Sequence, residues 1–502
     1  MAGIDHVDQS RTEQVILFRG AGMGLHRRPE FAGFLLKAYE TLQFKANETA
    51  SSAHKINAVR VDQAGLLSLE MTGGGTGAAG HAKTRFSILS LLLYGTSHWF
   101  SSMCMMKHKY YNNHFIILTF SILSVMFLIM FGYYGVGRSG HFAFDMPYLQ
   151  VAGEMWRNLA NPYDVESFKE NMKLVTGLDS GNYAYPPNSF PIALALSFGS
   201  SDTARWISGA MNLAAIGFLT LFIHWGAAAG EYIRTSHARA TAVIASALVI
   251  GNPLTAHVVW MGQTTLISAA FIYGCWMLAN RRLDLLAGIL LGISAFKPQL
   301  AILVGLWFMM DRRWVLVAAA AVTTIVVSGW PIVAQGVDGS WLAWMRTLSQ
   351  YQNTVHNLPS FKHVFGVRSV LATAGISAPS FMVPGIIALI ALYRFRRHYE
   401  EIWLINAILI ISFLFVYSHD YDLAPVAVIA FPLLMAAQGR PRVLMLLCFL
   451  AFVIFFPQRI WERFDLDMMA RTRELALMGV LATYLKICRI TWPAASKAAV
   501  AV

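Results

Sequence analysis

Asp145 is the acidic side chain best placed in this sequence to act as a base. It lies in the polar stretch 140 to 148, directly after the first long apolar run, and therefore at a membrane-water boundary. A carboxylate there can take a proton from a hydroxyl in water while the adjacent hydrocarbon holds a lipid-borne molecule. The alternative is that Asp145 caps a helix beginning near Met146-Pro147, since Asp before Pro often starts a helix. The two roles can coexist.

Two cationic side chains are candidate ligands for a phosphate. Lys297 lies between two apolar half-runs, where an ammonium group is costly unless it meets an anion or water. The alternative for Lys297 is a snorkelling lysine at a hairpin tip. Arg368 lies at the start of the apolar run 366–393. It could hold a phosphate through two parallel hydrogen bonds, or be a plain interfacial arginine.

A short polar cluster contains His419, Asp420 and Asp422. Its composition suggests a metal site, but helical spacing would not direct all three side chains at one ion, so we predict no metal. We expect the cluster to orient a substrate or to pair with Lys297, with simple loop solvation as the alternative.

Gln263 and His257 are candidates for hydrogen bonds to substrate hydroxyl groups. A helix-capping Gln and a buried, satisfied His are the alternatives. The glycine-rich run 73 to 77 lacks the lysine of a phosphate-binding loop, so neither a nucleotide site nor any other cofactor is predicted.

The composition indicates which elements position these residues. The chain has 502 residues, of which 56% are hydrophobic and 13% charged, and its mean hydropathy is +0.51. These values predict an all-α, polytopic membrane protein. The net charge of +12 lies largely in short loops at membrane boundaries, so nucleic acid is not an expected partner. The four cysteines lack the spacing of a zinc or disulfide framework.

Twelve apolar runs are candidate transmembrane helices. They lie near 115–136, 204–227, 240–258, 264–280, 283–296, 298–310, 314–334, 366–393, 401–417, 421–437, 442–458 and 474–490. The run 187–198 is shorter and could be re-entrant. Basic residues fall on every second connection, as the positive-inside rule requires, from Arg234 through Arg442. This register places every candidate residue on the outer face. The exception is the outer stretch 459–473, which contains four arginines.

The remaining segments are expected to serve the membrane domain. Residues 1–85 predict a disordered cytoplasmic extension, with a translation start near Met71 or Met103 as an alternative. Residues 86–113 predict an interfacial segment, and 491–502 a tail. The membrane domain is predicted at 114–490, with outer loops at 137–203 and 335–365.

Several segments together resemble the polytopic GT-C glycosyltransferases, and within them glycosyltransferase family 87. The likeness begins at Phe144-Asp145 and 161–164, and covers roughly residues 115 to 435. The other matching segments are Tyr183-Ala184-Tyr185-Pro186-Pro187, Trp260-Met261-Gly262-Gln263-Thr264, 288–299, Arg312-Arg313-Trp314 and 418–425. The family's Asn-x-Ser followed by Arg has only an imperfect counterpart here, in Asn357, Ser360 and Arg368.

The resemblance implies an enzyme at the plasma (inner) membrane whose site faces the periplasm or cell exterior. Its base would be Asp145, and Tyr185 would be a further substrate-binding residue. The implied donor is a sugar, with mannose expected, that is β-linked to polyprenyl phosphate. The implied acceptor is a glycan or glycolipid, and the α-linked product implies inversion in one displacement. Two alternatives remain from the sequence: a multispan transporter or lipid flippase, and a polysaccharide ligase using lipid diphosphate donors.

Overall fold

The structure, a computed structural model, describes residues 54–61, 66–73, 82–87, 113–177, 181–229, 236–456 and 471–489. The chain divides into two compact units, Met1–Tyr111 and Asn112–Val502. In the first unit, strands His54–Val61 (β1), Leu66–Gly73 (β2) and Ala82–Ser87 (β3) form an antiparallel sheet in the order β1-β2-β3.

This sheet differs from the expected extension without regular structure over 1–85. The sequence does carry a signal for it, because Leu67, Leu69 and Met71 alternate with Ser68 and Glu70, the period of a strand. The glycine-rich composition of the neighbouring residues obscured that signal. The rest of that extension, nearly all of the interfacial segment 86–113 and the tail 491–502 lie outside the described residues.

The second unit is built almost entirely of helices, as the all-α prediction requires. Those of the first half are α1 Asn113–Ser139, α2 Met146–Arg157, α3 Val165–Thr176, α4 Phe190–Leu196, α5 Ser201–Ala229, α6 Ser236–Gly251, α7 Pro253–Met261, α8 Thr265–Asn280, α9 Asp284–Ser294 and α10 Pro298–Met310. Those that follow are α11 Trp314–Val327, α12 Gly329–Val337, α13 Ala343–Gln352, α14 Val367–Thr373, α15 Met382–Phe395, α16 Glu401–Phe415, α17 Ala430–Ala436, α18 Pro441–Phe455 and α19 Thr472–Ile487.

Two helices in the described part of the chain are long and apolar enough to cross a membrane alone, Leu118–Gly137 within α1 and all of α5. Two bent pairs would raise that number to four: α6 with α7, bent by 44°, and α11 with the helical segment that follows it, bent by 67°. Five shorter apolar helices, α8, α9, α10, α16 and α18, have 11 to 16 residues. The count of twelve spans therefore stays a prediction.

Polar residues and prolines break several of the predicted spans. At the α6–α7 break, the Asn252 side chain accepts a hydrogen bond from Thr255 N and donates to Leu248 O, so it satisfies the backbone at a helix end beside Pro253. The predicted span 366–393 is divided between α14 and α15. The predicted span 421–437 begins as a 3-10 helix, Asp420–Ile429, which contains Pro425.

The segment 143–204 has a small core of its own, formed by aliphatic and aromatic side chains of α2, α3, α4 and the residues between them. Trp156 packs edge-on against Tyr183 and Phe190. Helix α4 lies so close to α2 that a Cβ on Gly153 would be 2.1 Å from Ala193 O. The run 187–198, a candidate re-entrant segment, is therefore a short helix packed within this core. The same core contains Ala143, Met146 and Tyr183, and so it positions the adjacent residues Asp145 and Tyr185.

Candidate active site

The backbone of the Asp145 segment is held against the turn that follows α7. Ala143 N donates to Trp260 O and Asp145 N donates to Met261 O, each at 2.7 Å. Gly262 in this turn has a φ of +73°, and a Cβ there would be 2.8 Å from the Cβ of Ala143. Only glycine meets both requirements without strain, which gives a physical reason for the motif Trp260-Met261-Gly262-Gln263.

The Asp145 side chain does not cap α2, although the residue occupies the position before that helix. Its Oδ2 instead accepts a 2.6 Å hydrogen bond from Gln263 Nε2. Burial raises the pKa of Asp145 from 3.8 to about 6, against the opposing effects of the Gln263 hydrogen bond and the Lys297 charge. A side chain with this pKa is largely ionised at neutral pH yet more basic than an ordinary aspartate.

Gln263 connects three of the predicted residues. Its Oε1 accepts a hydrogen bond from Tyr185 Oη at 3.2 Å and lies 3.5 Å from Lys297 Nζ. With its Nε2 donating to Asp145, both ends of the amide are engaged. Gln263 is therefore oriented by its neighbours and in turn orients Asp145.

Lys297 is buried and forms an ion pair, so it does not snorkel. Its Nζ lies 2.8 Å from Asp422 Oδ1 and 2.7 Å from Thr265 Oγ1, and 5.2 Å from the centre of the Tyr421 ring. Thr265 Oγ1 also donates to Asp422 at 2.5 Å. The structure thus contains the pairing between Lys297 and the 419–422 cluster that the sequence suggested.

A row of five aromatic rings extends from the Asp145 side of the site to the 419–422 cluster. His257 stacks on Trp260 with ring centres 5.1 Å apart, and His419 stacks on Tyr421 at 5.2 Å. Edge-to-face contacts join His257 to Tyr421 and His419 to Tyr417. Both histidines therefore have fixed ring planes.

Asp420 connects the loop 353–366 to the same cluster. The two-residue strands Val364–Phe365 (β4) and Ser418–His419 (β5) pair in antiparallel fashion, and Asp420 N donates to His363 O. Asp420 Oδ2 lies 3.2 Å from His363 Nδ1 and 3.4 Å from Arg473 Nη1. Burial alone would raise the pKa of Asp420, but His363 and the Arg473 charge hold it below its ordinary value.

These groups surround a cavity of about 770 Å³. Seven of the eight predicted site residues line it, namely Asp145, Tyr185, His257, Gln263, Lys297, His419 and Asp420. Arg368 does not. Its side chain is exposed and donates to Ala378 O at 3.1 Å, so the structure offers no support for a role in this cavity.

The sequence interpretation missed several polar residues of α13 and of the loop that follows it. Tyr351, His356, His363 and Tyr417 line the cavity, as does Asn357 of the imperfect family motif. Tyr417 Oη donates to Asn357 Oδ1 at 3.2 Å. The density of polar and aromatic side chains in the stretch 351–363 was the available signal. Among the described residues, no group of three or more His, Cys, Asp or Glu side chains could hold a metal ion.

Comparison with known proteins gives one match. Residues 183–418 match the model of glycosyltransferase family 87. No curated protein and no solved structure matched the chain. The matched range contains Tyr185, His257, Gln263 and Lys297, while Asp145 precedes it and His419 directly follows it. This match confirms the resemblance to glycosyltransferase family 87 and supports a membrane glycosyltransferase.

Proposed function

We propose that the protein transfers a sugar, mannose, from polyprenyl phosphate to a hydroxyl group of a glycan or glycolipid acceptor. The acceptor oxygen attacks the anomeric carbon, the bond from that carbon to the phosphate oxygen breaks, and the phosphate leaves with the bonding electrons. Asp145 takes the proton from the attacking hydroxyl. A single displacement of this kind inverts a β-linked donor to an α-linked product.

The observation that carries this proposal is the environment of Asp145. Its carboxylate lines the cavity and is fixed by Gln263. General bases work best when their pKa lies near the working pH, and a pKa of about 6 satisfies that condition. The choice of mannose and of polyprenyl phosphate rests on the family resemblance.

The departing phosphate needs positive charge or hydrogen-bond donors near it. Lys297 lies on the cavity wall together with the imidazoles of His257 and His419. The Lys297 charge is already balanced by Asp422, so we propose that it donates a hydrogen bond to the phosphate rather than adding net charge. Apolar residues of the same wall, including Ile302 and Met382, would contact the first part of the polyprenyl chain.

We further propose that the cavity opens on the outer face of the plasma membrane, within a bundle of twelve spans. Helix α9 begins after Arg281-Arg282 and ends before Lys297, and α10 leads from Lys297 to Arg312-Arg313. Lys297, which lines the cavity, and the two arginine pairs are thus at opposite ends of these helices. Basic loops are typically cytoplasmic, which supports an outward-facing site.

A transfer assay with matched aspartate variants tests the catalytic proposal. Membranes containing wild-type protein, Asp145→Asn or Asp164→Asn are incubated with radiolabelled polyprenyl-phosphate-mannose and an extract of membrane glycolipids. Asp164 caps α3 through Ser167 N, and asparagine caps a helix equally well, so its variant is the control. We expect Asp145→Asn to lose about 10² to 10⁴-fold in rate while retaining donor binding. Full transfer by Asp145→Asn would exclude it as the base, and no transfer by the wild type would exclude this donor.

Cysteine labelling tests the orientation. Asn353→Cys lies at the exposed C-terminal end of α13, in the proposed outer loop 335–365. An impermeant maleimide should label it in intact cells. Labelling only after the membrane is opened would contradict an outward-facing site.

A further inference from the structure

The four arginines of 459–473 are an exception to the charge pattern of the outer loops, and the structure accounts for two of them. Arg471 and Arg473 are buried, with exposed fractions of 6% and 4%. Both lie at the start of α19, which is C-terminal to the family match. Buried arginines require partners, so these two are part of the folded outer region and not solvated loop charges.

Arg471 holds the long outer loop in place. Its guanidinium donates to Val364 O at 2.6 Å, to Phe361 O at 3.0 Å and to Ser360 O at 3.1 Å. Three backbone carbonyls of one loop are thereby fixed to the last helix. The loop segment that carries His363 is consequently anchored on both sides of that residue.

Arg473 contacts the side chain of Asp420, which in turn contacts the side chain of His363. Its Nη1 lies 3.4 Å from Asp420 Oδ2, the same oxygen that lies 3.2 Å from His363 Nδ1. Asp420 Oδ1 accepts from Tyr421 N at 2.8 Å, so both carboxylate oxygens are engaged. Because an ionised carboxylate can only accept hydrogen bonds, this contact requires the His363 proton to be on Nδ1. A ring whose single proton is on Nδ1 presents Nε2 as an acceptor.

We propose that Arg473 is a positioning residue, which through Asp420 holds His363 in the cavity wall so that Nε2 accepts a hydrogen bond from a sugar hydroxyl. This inference rests on the proposed function for the identity of the sugar, but the arrangement of Arg473, Asp420 and His363 does not. His363 lines the cavity and its side chain is 32% exposed, as a substrate contact requires. The last helix thereby contributes to the site from outside the matched range.

A purely structural role is the competing explanation, because Arg473 Nη2 also donates to Phe456 O at the end of α18. The two explanations differ in how substitutions combine. If Arg473 acts through His363, its replacement should matter little once His363 has been replaced. If Arg473 only supports the fold, the two losses should multiply.

A double-mutant cycle in kcat/KM distinguishes these cases. It uses Arg473→Gln, His363→Gln and the double variant, with Arg397→Gln as a control that removes an exposed arginine remote from the cavity. We expect each single variant to lose about tenfold or more, the double variant to lose no more than His363→Gln, and the control to match the wild type. Arg473→Lys should recover part of the loss, since it retains the charge beside Asp420. Losses that multiply, or full activity in Arg473→Gln, would overturn the proposal.

An activity-independent measurement separates this proposal from the proposed function. In ¹⁵N-histidine-labelled protein in bilayers, solid-state NMR reports which ring nitrogen carries the proton, and His363 is assigned from its absence in His363→Gln. We expect an Nδ1-H ring in the wild type, and a smaller Nδ1-H population in Arg473→Gln and in Asp420→Asn. If Arg473→Gln does not fold, Asp420→Asn provides the test, because it removes the carboxylate through which Arg473 acts on His363. An unchanged His363 spectrum refutes the positioning role, whereas a changed spectrum in a protein that transfers no mannose refutes only the proposed function.

Discussion

Gln263 donates a 2.6 Å hydrogen bond through Nε2 to Asp145 Oδ2, across 118 positions of sequence. The same amide accepts from Tyr185 and lies 3.5 Å from Lys297. The Asp145 carboxylate is thereby connected to the buried ion pair between Lys297 and Asp422. The proposed base and the proposed phosphate ligand are coupled through one side chain.

The pH profile of transfer should report the ionisation of Asp145. Since the base acts when ionised, kcat/KM should rise with pH up to about 6 and then level off. The Gln263 hydrogen bond lowers the pKa of Asp145, so Gln263→Met should move the midpoint to higher pH as well as reducing the plateau.

Gln438→Met is the matched control for that measurement, because Gln438 is exposed and its amide donates to Met435 Sδ at 3.3 Å. Its midpoint and plateau should equal those of the wild type. A midpoint that stays in place in Gln263→Met would show that another group controls the profile.

Breaking the buried pair between Lys297 and Asp422 should destabilise the protein strongly. Lys297→Met leaves a buried carboxylate with Thr265 and the His419 amide as its remaining partners, and such a loss typically costs about 3 to 5 kcal/mol. In detergent, the double variant Lys297→Met/Asp422→Asn should unfold at a higher temperature than Lys297→Met, because no unpaired charge remains buried.

Lys169→Met is the control for the ion pair, since Lys169 pairs with the exposed Glu166 at 3.3 Å within α3. An exposed pair of this kind is worth about 0 to 1 kcal/mol. Equal effects of Lys169→Met and Lys297→Met on the unfolding temperature would contradict the assignment of Lys297 as a buried, paired charge.

Much of the cavity was predictable because ionisable residues are costly at membrane depth and rarely lie there without a partner. That argument, applied to Asp145, Lys297 and the 419–422 cluster, selected residues that do lie together. It failed for Arg368 because a residue at a span end can remain in water, and neither charge nor sequence position distinguishes the two cases.

Other features depend on long-range contacts that local patterns do not encode. The cavity contribution of His363 requires the pairing of β4 with β5, and both strands are only two residues long. The role of Arg473 requires α19 to reach Asp420. Helix breaks such as that at Asn252 leave mean hydropathy unchanged, so apolar runs alone predicted one continuous span there.

Adding a methyl group at Gly262 should impair catalysis without touching a charged side chain. The positive φ of Gly262 disfavours any L side chain by about 1 to 2 kcal/mol, and a Cβ would contact Ala143 at 2.8 Å. Gly262→Ala should therefore displace the 143–145 segment and lower kcat by about tenfold or more. Gly305→Ala, where no heavy atom lies within 4 Å of the added Cβ, should retain full activity. A fully active Gly262→Ala enzyme would show that the position of this segment is not critical.

The ionised Asp145 carboxylate should lower the free energy of unfolding in the pH range where it acts as a base. Its pKa is raised in the folded state, so ionisation opposes folding, and stability is lost as the pH rises from about 4 through 6. Asp145→Asn retains an oxygen that can accept from Gln263 but carries no charge. Its unfolding temperature should exceed that of the wild type at pH 8 and equal it below pH 4, as measured by thermal melting in detergent. If the wild type is the more stable at pH 8, the carboxylate is stabilised by its surroundings and its pKa cannot be raised, which would also weaken the case for Asp145 as a base.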